Sequence, residues 1–117
     1  MDTWTHPLFG SSSSAPEGEA AADVEAWGIS NLELAEMVDS HQPPLDYDQA
    51  ILEHHYADDD DPNSGWVHVS IRPGHNRRQR LTAYYHPKKR RTVYAPGFHL
   101  LRRGQVVENG KVVWPSA

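Results

Sequence analysis

Charge is divided along this chain more sharply than any other property. Of the 16 acidic residues, all except Glu108 fall within residues 1–61, and all 11 Lys and Arg lie between Arg72 and Lys111. Each part taken alone repels itself, and self-repulsion opposes compaction. The two parts attract each other, so the simplest fold lays the acidic part against the basic one. An exposed basic face that binds a polyanion is the competing reading.

The 117 residues suit one domain, and an apolar content of 38% is enough for one modest core. A chain this short buries a small share of its surface, so a bound metal would help its stability. It has no cysteine. That excludes disulfides and thiolate zinc sites and leaves His, Asp and Glu as the available metal ligands. No apolar run approaches the ~20 residues of a membrane helix. The first ten residues lack the basic start and apolar core of a secretory signal. The expected location is the cytosol as synthesised.

Residues 1–17 include four consecutive serines, Ser11 to Ser14, then Ala15 and Pro16, and read as a flexible segment. Residues 18–117 read as the folded domain. Ala20, Ala21, Ala22, Asp23 and Val24 suit a short strand or a buried turn. Ser30 or Asn31 suits a helix N-cap, with Glu33 in the first turn and Leu32, Leu34, Ala35 and Val38 as the apolar positions. A helix is expected over residues 32–40, ended by Pro43 and Pro44. Residues 47–53 read as a strand. An acidic loop follows, from Asp58 to Asp61.

Residues 66–71, WVHVSI, are the clearest strand. Alternation puts Trp66, His68 and Ser70 on one face and Val67, Val69 and Ile71 on the other. Residues 80–85 read as another strand. A hairpin is expected where Asn109-Gly110 joins residues 105–107 to residues 111–114, because Asn-Gly suits a primed turn.

Three ordered segments carry a family resemblance: DYDQAILE from Asp46 to Glu53, WVHVS from Trp66 to Ser70, and NRRQRLTA from Asn76 to Ala83. Together they resemble the second half of the zinc D-Ala-D-Ala carboxypeptidase family, in the branch with many bacteriophage lysis proteins. Upstream, residues 18–38 resemble that family's G-x-A-x-D zinc segment and the helix behind it. The resemblance covers residues 13–94. It implies an α+β fold of the D,D-peptidase/Hedgehog type, a small antiparallel sheet with one or two packed helices. The activity implied is zinc-dependent cleavage of peptides in bacterial cell wall.

Residue by residue, the resemblance makes Asp23 and His68 zinc ligands and Glu53 the general base, which takes a proton from water and returns one to the leaving amine. It leaves the substrate-binding residues unassigned. Two departures stand out. Asp23 lies one residue later than the family spacing from Gly18, a shift that on a strand would turn it to the other face. The family's first His falls at Ala15, which cannot bind zinc, and His6 is a distant substitute. An incomplete site, weak zinc and little activity are therefore expected.

Two other functions remain: a non-catalytic remnant of that fold, and a nucleic-acid module built on the basic part. Arg77-Arg78 and the run from Lys88 to Arg91, with Tyr84, Tyr85 and Tyr94 interleaved, are the residues that would serve the latter. No nucleic-acid fold motif accompanies them. The partner that the resemblance implies is a cell-wall peptide; nucleic acid is the less favoured partner, and no membrane is expected. His54, His55 and the acidic loop lack the spacing of a calcium loop. His41, His75, His86 and His99 are expected at the surface.

Overall fold

The computed structural model describes residues 19–26, 28–61 and 64–116. The expected flexible segment, with Ser13, Ala15 and His6, lies outside the described residues. In chain order the elements are β1 (Ala20–Val24), α1 (Asn31–Ser40), β2 (Gln49–Glu53), β3 (Trp66–Ile71), β4 (Gln79–His86), β5 (Arg91–Pro96), β6 (Val106–Glu108) and β7 (Lys111–Val113). The fold class is α+β, with strands predominating and one helix among the described residues.

Helix α1 starts where its capping chemistry dictates. The Ser30 hydroxyl accepts from the Glu33 N–H at 3.1 Å, and the Glu33 carboxylate accepts from the Ser30 N–H at 3.1 Å. This reciprocal box satisfies two N–H groups that have no partner inside the helix. Leu34, Ala35 and Val38 are buried on its inner face.

Five strands form one sheet in the order β1-β3-β2-β4-β5, and β6 and β7 form a separate hairpin. Pairing is antiparallel for β1–β3, β2–β3 and β4–β5 but parallel for β2–β4. The expected antiparallel sheet is therefore mixed. Both edges of β3 are taken, by β1 and β2, and the next strand adds to the free edge of β2. The short connection over residues 72–78 then crosses the start of β2, and β4 runs in the same direction as β2.

That crossing is stapled. Asp48, 2% exposed, accepts from the Arg77 backbone N–H at 3.1 Å and from its guanidinium at 2.8 and 2.9 Å. Arg78 donates from its backbone to the Tyr47 carbonyl, and its guanidinium lies 4.9 Å above the Tyr47 ring. Asn76 accepts from the Arg72 N–H at 2.6 Å. The DYDQ and NRR segments, 29 residues apart at Asp48 and Arg77, thus meet as one structural unit.

Alternation sends Ala22, Val24, Ala50, Leu52, Val67 and Val69 to one face of the sheet, where α1 and Tyr47 cover them. Further along the same face, Tyr84 and Ala95 pack with Tyr56, Leu101 and Val106 beneath the β6–β7 hairpin. The hairpin turns at Asn109 (φ 52°) and Gly110 (φ 77°), the left-handed pair that a primed turn requires. Among the described residues no element covers the opposite face.

Part of the divided charge is used inside the molecule. Arg72 pairs with Glu19 at 3.1 Å, Arg77 with Asp48 at 2.8 Å, and Arg78 and Arg80 with Asp39 at 3.6 and 3.9 Å. Arg103 pairs with Asp59, and its backbone N–H bonds Asp58 at 3.1 Å. These contacts tie the acidic loop to the segment around Arg103. His55 is 7% exposed, with Nδ1 2.9 Å from the Ser64 carbonyl oxygen.

Arg77 holds the Asp48 carboxyl below the usual carboxylate range through its side-chain hydrogen bonds. A depressed folded-state pKa contributes stability that is present above the unfolded value of about 3.9 and lost as pH falls through the folded value. Asp48→Ala leaves a backbone donor without its partner and is expected to cost about 2–3 kcal/mol at neutral pH. The variant should also lose part of the parent's acid transition below about pH 4. Urea melts at pH 7 and pH 3 check both.

Candidate metal centre

The uncovered face of the sheet is organised in rows set by strand register. One row runs Asp23–His68–Ile51–Leu81–Pro96 across the five strands. The next runs Trp66–Glu53–Ala83–Tyr94. His68 and Glu53 are therefore diagonal neighbours, and Asp23 stands directly opposite His68.

The one-residue shift at Asp23 does not turn it away from His68. Alternation in β1 buries Ala22 and Val24 against the core, which leaves Asp23 on the open face. The Asp23 Oδ1 and His68 Nδ1 atoms are 3.0 Å apart, with the Asp side chain 49% and the His side chain 31% exposed. Asp23, Glu53 and His68 each offer a ligand atom, and these atoms all lie within 4.8 Å of one another. Three residues spread over 45 positions of sequence thus converge on one spot.

Glu53 sits in a mixed environment. Burial pushes its carboxyl above the ordinary glutamate value, and the neighbouring Asp23 adds to that. His68, a side-chain hydrogen bond to Trp66 and then His54 act in the opposite direction. Trp66 was not singled out from the sequence as a site residue, although alternation in β3 had already placed it beside His68. The His54 ring lies 5.9 Å from that of Trp66.

The long connection between β2 and β3 closes tightly because of Gly65. Its φ is +69°, and a Cβ built there would lie 2.1 Å from the Glu53 carbonyl oxygen and 2.5 Å from the His54 carbonyl group. No side chain fits between these backbones, so only glycine returns the chain to Trp66 beside Glu53.

The donors are two carboxylates and one imidazole. These are groups that zinc accepts, at ~2.0–2.2 Å for nitrogen and oxygen. The 3.0 Å between Asp23 and His68 is close to the ligand–ligand edge of such a tetrahedron. The residues present therefore fit a small divalent cation held from one side.

Fold and site together define a small α+β domain with an Asp–Glu–His cluster on the uncovered face of a mixed sheet. Comparison with protein-family models, curated proteins and solved structures finds no match to this chain. No helix among the described residues is long and apolar enough to cross a membrane.

Two outcomes follow from this geometry. Glu53 has a raised folded-state pKa, so its contribution to stability is fully present below the unfolded value of about 4.3 and is lost as pH rises through the folded value. Glu53→Gln removes that loss. Its melting temperature should match or exceed the parent's at pH 7, with the difference shrinking toward pH 4. Gly65→Ala should destabilise by about 2–4 kcal/mol, from left-handed backbone strain plus overpacking. Thermal and urea denaturation measure both variants.

Proposed function

We propose that this chain is a zinc-binding domain related to the D-Ala-D-Ala carboxypeptidases, with a metal site short of one ligand. The observation that carries the reading is the convergence of Asp23, Glu53 and His68 to within 4.8 Å on the open face. Those are the three residues that the family resemblance singles out. In this reading Asp23 and His68 hold the metal and Glu53 is the base.

Zinc bound there would supply a Lewis acid able to polarise a carbonyl and to bring the pKa of a water toward ~7. The chain's own groups do the rest. The 3.0 Å contact between Asp23 and His68 keeps both ligand atoms turned toward the same point. Glu53, partly buried and beside Trp66, is placed to take a proton and return it to a leaving amine, and burial raises its carboxyl above the ordinary glutamate value.

Activity is limited by the ligand count. Catalytic zinc sites use three protein ligands and keep one position open. If Glu53 acts as base, only Asp23 and His68 remain as ligands. If Glu53 binds the metal instead, no base remains in the cluster. Either arrangement gives little or no hydrolysis of cell-wall peptides.

Zinc titration by calorimetry tests the reading. Weak binding that is lost in His68→Ala is expected. Structural zinc sites gain about 10–16 kcal/mol from four ligands, so one added ligand is worth several kcal/mol. Ala15→His, at the position where the resemblance places the missing ligand, should therefore tighten zinc binding at least tenfold. Zinc affinity unchanged in both Asp23→Ala and His68→Ala would refute the site. Robust muropeptide hydrolysis by the unmodified chain, abolished by Glu53→Gln, would refute the incomplete-site reading.

A further inference from the structure

The structure separates two basic clusters that look alike in the sequence. Arg77 and Arg78 are consumed internally, by Asp48 and Asp39. Lys88, Lys89, Arg90 and Arg91 have no acidic partner among the described residues. Lys88, Lys89 and Arg90 lie in the turn between β4 and β5, Arg91 opens β5, and all four are exposed.

This turn is held in shape by hydrogen bonds to His86. The His86 Nδ1 atom accepts from the N–H groups of Lys88 and Lys89, both at 3.2 Å. The Arg90 N–H donates to the His86 carbonyl at 2.8 Å. Arg90 takes a left-handed φ of 57°. Four positive charges are thus presented on a built hairpin tip, so binding pays less ordering entropy than it would on a free tail.

The interleaved tyrosines separate as well. Tyr84 is 4% exposed and belongs to the core, whereas Tyr85 is 48% and Tyr94 57% exposed. Tyr85 pairs with Thr92, and Tyr94 pairs with Ala83. Both tyrosines therefore point to the uncovered face, on adjacent strands and one row apart. Two exposed tyrosines thus stand on the adjacent strands that lead to the basic turn.

We propose that the β4–β5 tip and the Tyr85–Tyr94 pair form a binding surface for single-stranded nucleic acid. The four bases contact consecutive phosphates, and unstacked bases lie on the two tyrosine rings. Charge alone would suit any polyanion, including an anionic wall polymer. The paired aromatics favour a ligand that carries flat π-faces. The chain's net charge of −5 does not prevent this. Screening over about 8 Å at physiological salt makes the local tip, not the average, decide the encounter. The surface is separate from the Asp23–His68 site, and its occupancy does not require metal.

The test is fluorescence anisotropy with a labelled 12-nucleotide single-stranded DNA of mixed sequence, titrated at several salt concentrations. Four phosphate contacts predict a log–log salt slope near −2.8, which is a roughly 50-fold loss of affinity between 50 and 200 mM salt. The triple variant K88Q/K89Q/R91Q should bring the slope to about −0.7. Tyr85→Ala and Tyr94→Ala should each weaken binding about tenfold with the slope unchanged. All substituted side chains are exposed, and a thermal melt confirms that each variant is folded.

Binding equal to the parent's in the triple variant would overturn the proposal. So would tyrosine variants that bind normally while polyglycerol phosphate competes as well as DNA, because the tip would then read charge alone. Zinc affinity unchanged in the tip variants, and DNA affinity unchanged in His68→Ala, keep this result distinct from the fate of the metal site.

Discussion

The buried carboxylate of Asp48 is the constraint on which the sheet depends. It sits at the entry to β2, where the connection from β3 must pass on its way to β4, and Arg77 satisfies it from both backbone and guanidinium. Without that pair the crossing loop has no reason to lie over β2. Parallel pairing of β2 with β4 follows from the crossing, and so does the placement of Ala83 beside Glu53. A charge this buried is expensive unless it is fully paired. The arrangement therefore specifies one crossing geometry and penalises others.

The same logic extends to the divided charge. Five arginines from the basic part pair with acids from the acidic part. Most of these pairs are exposed and individually weak. Their shared effect is on register and orientation: each ties a segment after residue 71 to one before residue 62. Of the six Lys and Arg without an ion pair among the described residues, four lie together at one hairpin tip, which makes that tip stand out as a surface feature.

The core is asymmetric. Helix α1 and the β6–β7 hairpin cover the same face of the sheet, so the other face is left for chemistry. On that face, Asp23, Glu53 and His68 come from three neighbouring strands, and rigid strands are better platforms for ligands than loops. The cluster has a cost. Glu53 is held partly out of water beside Asp23, and the fold tolerates a carboxyl whose charged form is disfavoured. Unfavourable local placement of this kind is commonly found at functional sites.

Much of this was legible in the residues. The capping box at Ser30, the alternation of WVHVSI, the strand at residues 80–85 and the Asn109-Gly110 hairpin are all local, and local sterics and hydrogen bonds decide them. Alternation in β3 also placed His68 and Trp66 on one face. Strand β5 was missed because RTVYAP has no clean alternation, and its burial comes from β4 and the hairpin. The mixed sheet was missed because parallel or antiparallel pairing depends on which edge of β2 was free. The residue types able to bind metal were set by the sequence, since a chain without cysteine offers only His, Asp and Glu. Whether Asp23 faces His68, which arginines are neutralised and which tyrosines stay exposed were decided only by tertiary structure. Each depends on register between strands far apart in the chain, and register is fixed by long-range pairing and burial, not by the identity of neighbouring residues.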